Sequence, residues 1–155
     1  MSVVVTIKGL GFTIPETGER DWGTEVTSWI QQISSAVSDL TVAGDVKLIS
    51  VSVTNNQGSV ANIENLNFDT ATIRHAIVEY AVYRVTTTEE LSQTGNLYLT
   101  YKSNANTWEI VDNAVGDAEI TFTITNAGQV QYVTTNMGGS SYTGKMSFRG
   151  RVFPV

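Results

Sequence analysis

From residue 45 to the end, apolar side chains recur at every second position in short runs. An extended chain turns successive side chains to opposite faces, so this period commits the segment to strands that cover a core on one side. Ile49, Val51 and Val53 share one face of the first run. In the long run from Ile73 to Val85, Ala76, Val78, Tyr80 and Val82 share one face, and Ile73, His75, Ile77, Glu79, Ala81 and Tyr83 share the other. Leu97, Leu99 and Tyr101 alternate with Tyr98 and Thr100, and Ile120, Phe122 and Ile124 alternate with threonines. Val130, Tyr132 and Thr134 repeat the pattern, as do Met146, Phe148 and Val152.

Turn chemistry separates these runs: Asn55-Asn56-Gln57-Gly58, Thr94-Gly95-Asn96, Ser103-Asn104-Ala105-Asn106, Gly116-Asp117, Asn126-Ala127-Gly128 and Gly138-Gly139-Ser140. Signals spaced about ten residues apart predict a mainly β fold, an antiparallel β-sandwich of jelly-roll-like kind over 45–155. The 21 Thr and 19 Val agree, because β-branched side chains suit a pleated surface. Residues 59–72 lack clean alternation and read as a long connection with one short strand.

The first forty residues follow different rules. Residues 1–23 hold Gly9, Gly11, Gly18, Gly23 and Pro15, which predicts an irregular arm after a short strand at Val3–Ile7. Yet the arm carries Leu10, Phe12, Ile14 and Trp22, side chains that a solvated linker does not use. An apolar irregular segment lies against a surface, either its own domain or a partner. Leu10, Phe12, Ile14, Pro15 and Trp22 are therefore the candidate docking residues. Over 24–40 the pattern predicts a short amphipathic helix, capped by Thr24 and started by Glu25. Val26, Ile30, Ile33, Val37 and Leu40 fall at spacings of 4, 3, 4 and 3, a heptad stripe flanked by Trp29. A lone helix of this length is marginal in water, so the stripe needs cover. That cover is either the body of the same chain or two further copies, and in the second case Val26, Trp29, Ile30, Ile33, Val37 and Leu40 form an oligomer interface.

Composition removes several function classes. The 9 Lys and Arg against 15 Asp and Glu give a net charge of −6, which makes a poor phosphate binder and excludes nucleic acid as the expected partner. With no cysteine there is no disulfide, thiolate metal site or Cys nucleophile. His75 is the one histidine, and no Gly-x-Ser-x-Gly elbow accompanies it, so it reads as a hydrogen-bonded strand residue. Glu79, Glu109, Asp112, Asp117 and Glu119 are the carboxylates a glycosidase could use, but four of them cluster at what reads as one polar turn. The segment from Asp112 to Asp117 lacks the ligand spacing of a calcium loop. The expectation is a non-enzymatic protein with no cofactor and no metal. No apolar run approaches the roughly 20 residues of a membrane span, and residues 1–8 lack the basic head of a signal peptide. Tyr98, Trp108 and Tyr142 fall at predicted loops and outer faces, where aromatic rings can stack on sugars, and are the candidate glycan contacts.

Two stretches carry a family resemblance. Residues 11–30, from Gly11-Phe12-Thr13-Ile14-Pro15 through Asp21-Trp22-Gly23 to Trp29-Ile30, look like the start of phage fibre and capsid-decoration proteins, where a Gly/Pro-rich aromatic segment precedes a short helix. Residues 95–101, 120–128 and 132–136 look like the β-sandwich module that ends such proteins. The chain thus resembles small virion proteins of tailed bacteriophages. That resemblance implies a non-enzymatic homotrimer on the particle surface, made in the host cytoplasm. Its N-terminal part would attach to the major capsid protein or another virion protein, with the β domain displayed outward. Lack of a shaft favours capsid decoration or a short head fibre. A tail-associated receptor-binding protein touching host glycans, or a carbohydrate-binding module, are the alternatives.

Overall fold

A computed structural model describes residues 3–7, 10–14, 26–31, 33 and 45–154. The chain divides into two units, Met1–Thr41 and Val42–Val155. In the first unit, β1 (Val3–Ile7) and β2 (Leu10–Ile14) form an antiparallel hairpin with Val3 opposite Ile14 and Ile7 opposite Leu10. This corrects the expected irregular arm over 10–14. Thr6, Ile7, Phe12 and Thr13 are β-formers, and Gly11 is tolerated inside the strand because the hairpin pairs it directly with Thr6. Residues 26–31 and 33 are helical, as the heptad stripe predicts.

The second unit has eight strands: β3 (Val46–Ser52), β4 (Ala61–Asn67), β5 (Ile73–Val85), β6 (Glu90–Lys102), β7 (Thr107–Asp117), β8 (Ile120–Ile124), β9 (Gln129–Thr134) and β10 (Thr143–Pro154). They form a five-stranded sheet in the order β3-β10-β5-β6-β7 and a three-stranded sheet in the order β4-β9-β8. Every pairing is antiparallel. The nesting is jelly-roll-like: β3 pairs with the last strand, β10, and β4 pairs with the next to last, β9. The strands β5, β6 and β7 then run as a meander within one sheet.

One core lies between the sheets. The alternating faces meet there: Ala76, Val78, Tyr80 and Val82 from β5, Leu97 and Leu99 from β6, Met146, Phe148 and Val152 from β10, and Phe122, Val130 and Tyr132 from the smaller sheet. Each such side chain contributes about 1.5–3 kcal/mol when fully buried. Phe68, which follows β4, packs beside Trp108, and Tyr80 meets Phe122 edge-on at 4.9 Å between ring centres. Gly128 holds φ +88° in the β8–β9 turn, where a Cβ would lie 2.0 Å from the Phe68 carbonyl oxygen, so only glycine closes that hairpin.

Two predicted turns lie inside strands. Thr94-Gly95-Asn96 sits in the middle of β6, and Asp112–Asp117 is the second half of β7. Gly95 is there because the backbones of β6 and β7 approach closely: a Cβ would stand 2.5 Å from Asn113 O and 2.8 Å from Ala114 Cα. Asp112 is there because its carboxylate, although the residue is exposed, accepts hydrogen bonds from the buried Tyr80 and Gln93 side chains.

Candidate functional site

Of the predicted docking residues, Leu10, Phe12 and Ile14 fall on β2. Pro15 and Trp22 lie outside the described residues, as do Val37 and Leu40 of the heptad stripe. Val26 and Trp29 are half-buried. Ile30 and Ile33 are 63% and 49% exposed.

The three predicted sugar contacts separate. Trp108 is only 7% exposed and packs between Phe68 and Tyr101, so it belongs to the core. Tyr142 is half-buried; its hydroxyl donates to the Val53 carbonyl and accepts from Arg84 Nε. Trp108 is corrected as a sugar contact, because its ring is buried, and the Tyr142 ring has the Arg84 guanidinium 5.8 Å from its centre. The sequence misplaced Trp108 because it adjoins a turn, and the strand that begins at Thr107 turns its ring inward. Tyr98 is 44% exposed on the outer face of the five-stranded sheet.

That outer face carries a shallow, open depression of about 450 Å³, lined by Glu79, Tyr80, Thr94, Gly95, Asn96, Asn113 and Val115. Sheet register explains the lining. Arg149 on β10 pairs with Glu79 on β5, Glu79 with Asn96 on β6, and Asn96 with Asn113 on β7. Directly paired residues project to the same side, so these four side chains form one row across four strands. Arg149 Nε donates to Glu79 Oε2 at 2.6 Å, and both groups are well exposed, so this ion pair orients the row more than it stabilises the fold. Ala81, Thr94 and Val115 form the next row on one side; Ile77, Tyr98 and Val111 form the next row on the other.

A polar cluster lies on the inner face of the same strands, with Tyr80 and Gln93 buried and Asp112 exposed on β7. The Tyr80 hydroxyl donates to Asp112 Oδ1 at 2.7 Å, and Gln93 Nε2 donates to the Tyr80 oxygen at 2.6 Å and to Asp112 Oδ2 at 3.2 Å. The Ala118 N–H donates to Gln93 Oε1, closing the network. Burial, then the hydrogen bond to Asp112, pushes the Tyr80 phenol well above its ordinary range. Both Asp112 oxygens are thus engaged by neighbouring side chains, which suits a cross-strand fastening.

The other sequence-level candidates are dispersed. His75 Nδ1 lies 3.3 Å from Thr100 Oγ1 on the exposed face, the strand role expected of it. Glu109 pairs with Lys102, and Glu119 accepts from the Thr135 hydroxyl. Among the described residues no three His, Asp or Glu side chains converge on a point where a metal ion could be held. Asn96 and Asn113 were not singled out from sequence, because each sits within a stretch that reads as a turn.

No protein-family model matches the chain, and no curated protein matches it. Among solved structures, the tailspike protein of Acinetobacter phage vB_ApiP_P1 is similar at a TM-score of 0.35 with 13% identity, over 69% of this chain and 20% of the tailspike. The chain therefore spans about a fifth of that protein's length, and a likeness this weak supports neither a fold family nor a function.

Proposed function

We propose that this chain is a non-enzymatic structural protein of a bacteriophage particle, a capsid-decoration or short head-fibre protein. In this reading the first unit mediates assembly and the β-sandwich is the displayed body. The sequence resemblance of residues 11–30 and of the β segment suggests the setting. The observation that carries the assembly role is the exposure of Ile30 and Ile33 on one short helix, at 63% and 49%. A helix of a few turns owes its stability to tertiary cover of its apolar side. Packing three copies about the heptad stripe would supply that cover.

The test is a pair of full-length proteins, wild type and the double variant Ile30→Asp, Ile33→Asp, compared by light scattering and by co-sedimentation with purified phage capsids. The expected outcome is a trimeric mass and capsid binding for the wild type, with both lost in the variant while the β-sheet circular dichroism is kept. A wild-type monomer, or equal capsid binding by both proteins, would overturn the proposal.

A further inference from the structure

We propose that the row Arg149–Glu79–Asn96–Asn113 on the outer face of the five-stranded sheet, with Tyr98 beside it, is a binding site for a neutral oligosaccharide. The inference concerns this face alone and does not depend on which particle, if any, carries the protein.

Three observations meet here. Among the described residues, the side-chain amides of Asn96 and Asn113 have no hydrogen-bond partner, although the two residues are directly opposed across β6 and β7. Opposed side chains have Cβ atoms about 5 Å apart, so two carbonyl oxygens and two NH₂ groups stand together at a surface depression. Vicinal sugar hydroxyls each donate and accept, and a planar amide answers both at once. Glu79 adds carboxylate acceptors beside Asn96, held in place by Arg149 Nε.

The second observation is charge. The Arg149–Glu79 pair cancels, the two asparagines are neutral, and Thr94, Val111 and Val115 flank them. The residues lining the depression include no cation to meet a phosphate, sulfate or carboxylate, and Arg151 stands opposite Ile77 at the β10 end of the neighbouring row. The ligand class that fits is uncharged and rich in hydroxyls.

The third is shape. Four strands at about 4.8 Å spacing make a row on the order of 14 Å long, the length of a di- or trisaccharide. The neighbouring row sets exposed Tyr98 and Val111 about 7 Å along the strands, where they can meet the apolar C–H face of a sugar whose hydroxyls reach the amides. Gly95, on the inward side between Thr94 and Asn96, lets β6 and β7 approach closely beneath the row, since any larger residue would collide with the β7 backbone.

The experiment applies the full-length protein to an array of neutral and anionic oligosaccharides, then titrates the best neutral trisaccharide by calorimetry and by the side-chain NH₂ resonances of Asn96 and Asn113. Binding to neutral glycans is expected, with both NH₂ pairs shifting. Asn96→Ala and Asn113→Ala should each weaken it by about five- to tenfold, as for loss of hydrogen bonds. Tyr98→Ala should weaken it comparably, and Tyr83→Ala, on the same face but two rows from Glu79, should leave it unchanged. All four residues are at the surface, so the variants should retain the wild-type melting temperature. Array binding confined to anionic glycans, no neutral binding, or undiminished affinity in the asparagine variants would overturn the proposal. So would a fall in oligomer mass on Asn96→Ala, which would make this face a contact between copies.

Discussion

Arg84, at the end of β5, is fully buried, and among the described residues no carboxylate pairs with it. Its five N–H groups instead meet neutral oxygens. Nη1 donates to the carbonyls of Ala118 at 2.6 Å and Glu119 at 3.3 Å; Nη2 donates to the Thr135 carbonyl at 2.6 Å and to Asn55 Oδ1 at 3.2 Å; Nε donates to the Tyr142 hydroxyl at 3.2 Å. These acceptors belong to three different connections between strands, β3–β4, β7–β8 and β9–β10, so one guanidinium ties together one end of the sandwich. Burying the charge costs several kcal/mol. The two short charged bonds return about 1.5–3 kcal/mol each, and the three longer ones less, so the gross terms nearly cancel. Replacement therefore exposes a different quantity. Arg84→Met keeps the volume and removes the desolvation cost, but it leaves the buried Ala118 carbonyl without a donor, whereas the Thr135 carbonyl keeps the Asn56 N–H and Asn55 Oδ1 keeps the Met137 N–H. At about 1–3 kcal/mol for an orphaned group, the loss should be about 2 kcal/mol. Arg84→Lys can reach at most three of the acceptors and should lose about 1 kcal/mol. In urea unfolding followed by far-UV circular dichroism, with a slope of about 2 kcal/mol/M, the midpoints should fall by about 1 M and 0.5 M respectively. If Arg84→Met were as stable as the wild type, or more stable than Arg84→Lys, the buried charge would be a tolerated burden and the fastening role would be refuted.

Two more substitutions test the interior below the proposed sugar site. The raised Tyr80 pKa means that the folded protein holds that proton after the unfolded chain has released it near pH 10. The stabilisation is whole below pH 10 and declines as pH rises beyond it, so phenolate absorbance should show Tyr80 ionising only with unfolding. Tyr80→Phe should remove that step from the alkaline titration, and the same step persisting in the variant would refute the assignment. Gly95→Ala puts a methyl 2.5 Å from the Asn113 carbonyl oxygen and should cost about 2 kcal/mol, lowering Tm by several degrees. Gly58→Ala, with nothing within 4 Å, should change Tm little; equal effects of the two would contradict the close approach of β6 and β7.

The sandwich was legible where the core is made of hydrocarbon. β5 and β8 begin and end where alternation alone puts them, because Ala76, Val78, Val82, Ile120 and Phe122 are both apolar and inward. Legibility failed where inward positions are polar. On β7 the residues that follow Ile110 on its face are Asp112, Ala114 and Gly116, all exposed, and on β6 the inward set includes Gln93 and Gly95. Small and polar residues at alternate positions carry no hydrophobic period, and Asn, Asp and Gly are also the residues that build turns, so the composition pointed the wrong way. The structure supplies the reason for each: Asp112 and Gln93 hold the Tyr80 hydroxyl, and Gly95 and Gly116 let β6 and β7 come together.

The same cause hid the proposed site. Tyr98 could be read as an exposed ring, since it alternates with Leu97 and Leu99 on a recognisable strand. Asn96 and Asn113 could not, because their partnership exists only once β6 and β7 are paired in register. The outward faces of this region have no core to satisfy. A pair of unpartnered amides beside a tyrosine is therefore not explained by packing, whereas Asp112 and Gln93, on the opposite face of the same two strands, are. The fold uses the inward polar residues to fasten β5, β6 and β7 into a stiff platform, and the outward ones lie free upon it. A stiff platform matters for weak, hydroxyl-directed recognition, because immobilising loose side chains would consume about 0.5–1.5 kcal/mol apiece. Loosening the inner fastening with Tyr80→Phe should then weaken the neutral glycan on the outer face severalfold, although Tyr80's hydroxyl points the other way. Unchanged affinity in that variant would separate the interior network from the surface and leave it a purely structural device.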